Sequence, residues 1–240
     1  MPVGPVLLTT SANGTDLTSY TTAVIAPSAN RLVLACIWSN SASPVPTTVD
    51  SLTGASMTWD SIATLELNEG GADLERLTVF RSLNAAPGTG ALTIDYGADT
   101  QKICGWAIVE FRGVDTSGTN GTGAVEQVRI SSSLPSITTP SLAFLTPTRG
   151  ENGTFGVLAN SSGTKPISPG GAFTEISEFQ TSTGGSLGLQ TEGAPTGVNT
   201  VNWTISAGGD ASIYAIVELG VGAASGDDPA IGILGRGAGW

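Results

Sequence analysis

Thr93-Ile-Asp-Tyr-Gly-Ala-Asp99, followed by Ala107-Ile-Val-Glu-Phe111, returns in the second half of the chain. There it reads Thr204-Ile-Ser-Ala-Gly-Gly-Asp210, followed by Ala215-Ile-Val-Glu-Leu219. Working outward, Trp59-Asp-Ser-Ile62 is answered by Phe173-Thr-Glu-Ile176, and the run Leu34 to Ser41 by the run Val157 to Ser162. The order of elements is kept while the offset drifts from about 120 residues to about 108, as unequal loops between equivalent strands would produce. One supersecondary unit used twice, too few copies for an array, points to the two halves of a single β-sandwich.

The rest of the chain supports an all-β reading. Short runs with alternating or β-branched character, such as Arg31–Ser39, Glu75–Leu83, Lys102–Phe111, Thr154–Ala159 and Ser212–Leu219, are separated by Gly, Pro and Asn turns. With 33 Gly and 13 Pro in 240 residues, turns are frequent and no helical period outlasts two turns. Nothing between strands is long enough for the crossover helix of a parallel sheet. The expected fold is therefore a jelly-roll-like antiparallel β-sandwich built from two internally similar halves. Residues 1–16 are expected to form an N-terminal arm. Residues 17–219 form the sandwich, with halves at about 17–114 and 124–219 joined by the Gly-rich Asp115–Gly123 loop. Residues 220–240 form a flexible Gly/Ala-rich tail.

Charge narrows the function. Nine basic against 20 acidic residues leave a net charge of −11, which opposes binding to nucleic acid and to anionic membranes. The opening Met1-Pro-Val-Gly-Pro5 has neither the basic nor the apolar region of a secretion signal, so synthesis in a cytoplasm is expected. No stretch approaches the roughly 20 apolar residues of a membrane span. The chain has no histidine, which removes the Ser-His-Asp triad and histidine metal sites. Gly184-Gly-Ser-Leu-Gly188 matches the nucleophile-elbow pattern, yet without a base or a strand-to-helix context it reads as a hairpin turn.

Paired carboxylates are the remaining catalytic possibility. Glu66 with Glu69, or Asp95 with Asp99, are the candidate couples, but neither has the alternate spacing along one strand that β-sandwich glycanases use. Loop carboxylates Asp73, Asp99, Asp115 and Asp210 have no calcium-loop spacing. Cys36-Ile-Trp38 and Cys104-Gly-Trp106 place thiol and indole on one face of each strand, as packed core rather than a disulfide. Glu110 and Glu218 hold equivalent places and are expected near strand ends on the outer face. The five Asn-x-Ser/Thr sites are read as chance matches. No enzyme activity and no cofactor is expected.

Thr21 to Leu34, Met57-Thr-Trp-Asp60, Glu75-Arg-Leu-Thr-Val-Phe-Arg81 and Gly105-Trp-Ala-Ile-Val-Glu-Phe111 resemble a group of β-rich proteins of tailed phages and prophages, generally regarded as virion structural proteins. The resemblance covers about residues 17–219 and implies a non-enzymatic virion protein, foremost a capsid decoration (cement) protein on the outside of the particle. It implies homo-oligomers, expected as trimers, that contact the major capsid protein or tail proteins. Ile231, Ile233, Leu234 and Trp240 in the tail are the candidate docking residues, because exposed Ile, Leu and Trp are unusual in a solvated segment. The alternatives are a tail or fibre component, or a module that binds a surface glycan. Trp59, Trp203 and Tyr96 would be its contacts, since they lie near expected strand ends.

Overall fold

A computed structural model describes residues 3–68, 73–134, 137–146, 148–161, 165–181, 185–192, 198–206 and 211–222. The first half contains β1 (Gly4–Asn13), β2 (Ser19–Thr21), β3 (Arg31–Ala42), β4 (Ser51–Gly54), β5 (Asp60–Asn68), β6 (Asp73–Asn84), β7 (Leu92–Asp95) and β8 (Ile103–Arg112). A single 3-10 turn, Thr119–Gly121, lies in the join. The second half contains β9 (Val125–Ser133), β10 (Ser141–Ala143), β11 (Gly153–Asn160), β12 (Ile167–Pro169), β13 (Phe173–Gln180), β14 (Ser186–Glu192), β15 (Thr200–Ile205) and β16 (Ser212–Leu219). Among the described residues there is no α-helix, and no helix long and apolar enough to cross a membrane.

In the first half the strands form a five-stranded sheet, β1-β8-β3-β6-β5, and a three-stranded sheet, β2-β7-β4. The second half repeats the order as β9-β16-β11-β14-β13 and β10-β15-β12. All the ladders are antiparallel. First pairs with last, second with seventh and third with sixth, which is the wiring of a long hairpin rolled into a jelly roll. The fifth strand departs from that scheme by joining the sixth at the edge of the larger sheet. Register carries the repeat down to single residues. Cys36 lies opposite Ala107 and Val157 opposite Ala215, so the two Ala-Ile-Val-Glu strands face equivalent partners.

The fold class is thus all-β and jelly-roll-like, an antiparallel sandwich in two similar halves. Each half, however, closes a sandwich of its own, and the two then stack through their five-stranded sheets. Val33, Ala35, Ile37, Trp106 and Ile108 fill the core between the sheets of the first half. Leu142, Leu158, Ile167, Trp203 and Ile216 fill that of the second. A third core joins the halves, with Leu32, Leu34, Trp38, Ala107, Val109 and Phe111 meeting Phe155, Val157, Leu189, Ala215, Val217 and Leu219. Each large side chain buried there contributes about 1.5–3 kcal/mol. The five-stranded sheets are consequently covered on both faces, which is why β3, β8, β11 and β16 are almost continuously apolar instead of alternating. The three-stranded sheets are covered on one face only, and β15 alternates exposed and buried at every step.

The stacking has a twofold character. β1 lies over β13 and β5 over β9, while β8 meets β14 and β6 meets β16. Exchanging equivalent strands between the halves maps each contact onto another in the set, as in an isologous dimer fused into one chain.

Two expected boundaries need correction, that of the tail because Val221 bridges to Val114 and Gly222 N donates to Gly113 O, so residues 220–222 are tied to the body. Residues 4–13 are not a free arm: β1 pairs with β8 from Gly4 opposite Arg112 to Asn13 opposite Cys104. β8 is apolar along its length and needs a hydrogen-bonding neighbour on each side. β1 supplies that neighbour as β9 does for β16, so the first half begins at residue 4 and not at 17.

Candidate functional site

The aromatic residues proposed for glycan contact do not assemble on a surface. Tyr96 is fully buried, with its ring edge-on to Tyr20 at 6.0 Å and its hydroxyl donating to Cys104 Sγ at 3.2 Å. Trp203 is 2% exposed and packs on Tyr214 at 5.7 Å. The two belong to the separate cores of the two halves. Strand alternation decides this, because β15 points Val201, Trp203 and Ile205 inward together. Trp59 is half-buried against the first core, and neither Tyr96 nor Trp203 joins it at the surface. The tail candidates Ile231, Ile233, Leu234 and Trp240 lie outside the described residues.

The carboxylate couples are engaged elsewhere. Glu66 Oε2 accepts from Arg76 Nη2 at 2.7 Å and from Thr47 Oγ1 at 2.9 Å, and Glu69 lies outside the described residues. Asp95 Oδ1 accepts the Gly97 amide at 3.1 Å, while the Asp99 amide donates to Tyr96 O. These are turn and ladder contacts of single residues. Asp73 pairs with Lys102, and Asp115 Oδ1 accepts the Ser117 amide at 2.8 Å. Asp210 lies outside the described residues, among which no three His, Cys, Asp or Glu side chains gather as a metal site would require. Asn152 and Asn160, two of the five sequons, are buried.

Cys36 and Cys104 are both free and buried, and they face opposite sides of one sheet. Burial raises both thiols, Cys104 to about 12 against the lowering effect of its hydrogen bond with Tyr96. They are therefore protonated and unreactive at neutral pH. The Gly185–Gly188 stretch enters β14 from the β13–β14 hairpin, with Ser186 fully buried, so it presents no nucleophile.

Glu110 and Glu218 need correction. Both are buried, at 4% and 2% exposure, beneath the loop that leads into the third strand of their half. Glu110 Oε2 accepts the Ser28 amide at 2.5 Å. Glu218 accepts from Asn152 Nδ2 at 2.7 Å, Gln127 Nε2 at 2.6 Å and the Arg149 amide at 3.0 Å. Each carboxylate ties a loop to its sheet, and their repetition in Ala-Ile-Val-Glu was the available signal. Alternation was followed correctly to the face opposite the shared core. That face, though, is roofed by the loop.

A packing gap with no room for a water molecule lies between β12 and β13, lined by Ile167, Pro169, Glu175, Leu189, Gln190 and Trp203. It is below the size of typical ligand pockets. Gln190 spends its amide on the chain itself, accepting from the Gly170 amide and donating to Asn202 O. Among the described residues, the three-stranded sheets present polar outer faces. The outer face of the first three-stranded sheet carries Ser19, Asp95 and Ser51 in one row and Thr21, Thr93 and Thr53 in the next. The equivalent face of the second half presents Ser141, Asn202, Thr204 and Ser168. Around these lie the open strand edges. Comparison with protein-family models, curated proteins and solved structures finds no match to this chain.

Proposed function

We propose that this chain is a non-enzymatic structural protein of a phage virion, placed on the outside of the particle as a capsid decoration protein. The observation that carries the reading is the stacking of two closed jelly rolls on a third, shared core. Such a block presents polar Ser/Thr faces and strand edges and encloses most of its large apolar side chains. That is the build expected of a part that must persist rather than turn over. Jelly rolls recur in capsid and lectin domains, and the core-strand resemblance to phage proteins favours the first. The partners under this reading are further copies of the chain and the major capsid protein, with a tail position as the variant placement.

The test is cryo-electron microscopy of particles from the native source. Density for a four-layered block repeated over an icosahedral shell is the expected result. Density restricted to the tail would move the protein there, and absence from every particle would overturn the proposal.

A further inference from the structure

We propose that the free edge of β1 pairs with β1 of a second copy, joining two five-stranded sheets into one of ten strands. Among the described residues no strand lies along the outer side of β1. An unpaired edge of ten residues is a template for strand addition unless something blunts it. The other long edges of the five-stranded sheets are blunted by charge. β5 carries Asp60 and Glu66, β13 carries Glu175 and Glu178, and β9 carries Glu126 and Arg129. β1 reads Gly-Pro-Val-Leu-Leu-Thr-Thr-Ser-Ala-Asn, without a charge, and exposes Val6 at 45% and Leu7 at 37%. All four edges contain a bulge, so bulging does not distinguish them.

Charge also selects the occupant. Each copy carries −11, so two copies can meet closely only where neither brings carboxylates to the contact. β1 meets that condition and β5 and β13 do not. Two identical strands related by a twofold axis pair antiparallel, and the contact closes on itself, so association stops at two. Pro5 supplies no amide, which leaves Val6 to Asn13 as the pairing stretch. A pairing of this kind yields dimers in place of the expected trimers. It does not depend on the particle assignment, because it concerns the purified protein in solution.

The test is sedimentation velocity of the full chain over a range of concentrations, with hydrogen exchange of the β1 amides measured in parallel. A monomer–dimer equilibrium is expected, with β1 amides that point away from β8 losing protection on dilution. Val6→Lys and Leu7→Lys, which put a charge on the pairing edge opposite Asn13 and Ala12 of the second copy, should weaken it by roughly tenfold or more. Their melting temperature when dilute should stay at the wild-type value. Thr174→Lys on β13 is the matched control and should leave the dimer intact. A chain that stays monomeric with fast-exchanging outer β1 amides overturns the proposal. So does a dimer indifferent to both lysine variants, or one abolished only by removing residues 223–240, which would make the tail the occupant.

Discussion

Gly185→Ala is the most informative single change, because the contact it violates crosses between the halves. Gly185 sits at φ +135°, a conformation L residues rarely adopt. A methyl group there would lie 2.8 Å from Cζ2 of Trp38 and closer still to Cζ3 and Cη2. Carbon atoms pack at about 3.5–4.0 Å, so the indole must move. Room is scarce: Trp38 is fully buried, and the position of a Cβ on Gly105 is 3.3 Å from its Cε3 and 2.8 Å from Cζ of Phe179. Overpacking of this sort costs about 1–3 kcal/mol and the backbone strain about 1–3 kcal/mol, or about 2–6 kcal/mol together. Trp38→Phe removes the benzo-ring atoms that the methyl meets. It sacrifices no hydrogen bond, since the Trp38 N–H has no partner among the described residues. In that background Gly185→Ala should keep only its strain, giving a coupling of about 1–3 kcal/mol. Urea denaturation of the wild type, both single variants and the double variant measures it. Additive costs would refute the reasoning, and with it the docking of Trp38 from the first half beneath the β14 hairpin of the second.

Glu218→Ala leaves the buried Asn152 amide and the Arg149 N–H without their acceptor, takes one of two acceptors from the half-buried Gln127 amide, and should cost about 2–4 kcal/mol. Glu110→Ala, which strands one N–H, should cost less; equal losses in urea denaturation would discount hydrogen-bond number as the cause. Both thiols should resist a thiol reagent at pH 8 in the native protein and react fully in denaturant. Oxidants should produce no internal disulfide, and mass spectrometry reads both results. For Cys104 the folded pKa of about 12 stands above the ordinary 9.0, so the folded state holds its proton longer than the unfolded. Stability from this group is complete below pH 9 and falls as pH rises from 9 towards 12, and thermal melts across that window should decline. A chain ending at Gly222 should melt as the full protein does, because Gly222 N still donates to Gly113 O, while losing attachment to particles if the tail docks there.

The fold was legible to the extent that its signals are local. Alternation and turn residues locate most strands, and the recurring Ala-Ile-Val-Glu strands expose the duplication. Cys36 with Trp38, and Cys104 with Trp106, do share a face as period two requires. β12, three residues with a proline, is too short to show any period. β1 read as an arm because its strand character, Val6 to Thr10, is visible but its partner is not: β8 lies about a hundred residues away. Non-local pairing also hid the sites. Tyr96 directly follows β7, where a phenol can be exposed, whereas Trp203 lies mid-strand in β15, and the closure of each sandwich over its own core buries both. Glu110 and Glu218 were placed on the correct face, yet burial there comes from a loop that the strand pattern does not encode.

The repeat itself carries a physical consequence that a list of equivalent residues does not. A single half would expose the face of its five-stranded sheet that bears Leu34, Trp38, Val109 and Phe111, an apolar surface no isolated domain keeps in water. The second copy covers it with the equivalent face. Two equivalent surfaces that cover each other in full meet about a twofold axis, as β1 over β13 and β5 over β9 do here. The symmetry is broken in detail. Phe111 meets Phe155 edge-on at 5.4 Å, whereas the equivalent positions hold Leu219 and Leu34. Trp38 has its counterpart in Ala159, and the room it needs comes from Gly185 in the other half. Loss of volume in one copy is matched by gain in its partner, as close packing demands of a core that two halves must share. That interlocking is what makes the chain a single cooperative block, and it leaves the outer faces and edges, above all β1, as the places where a further partner can be met.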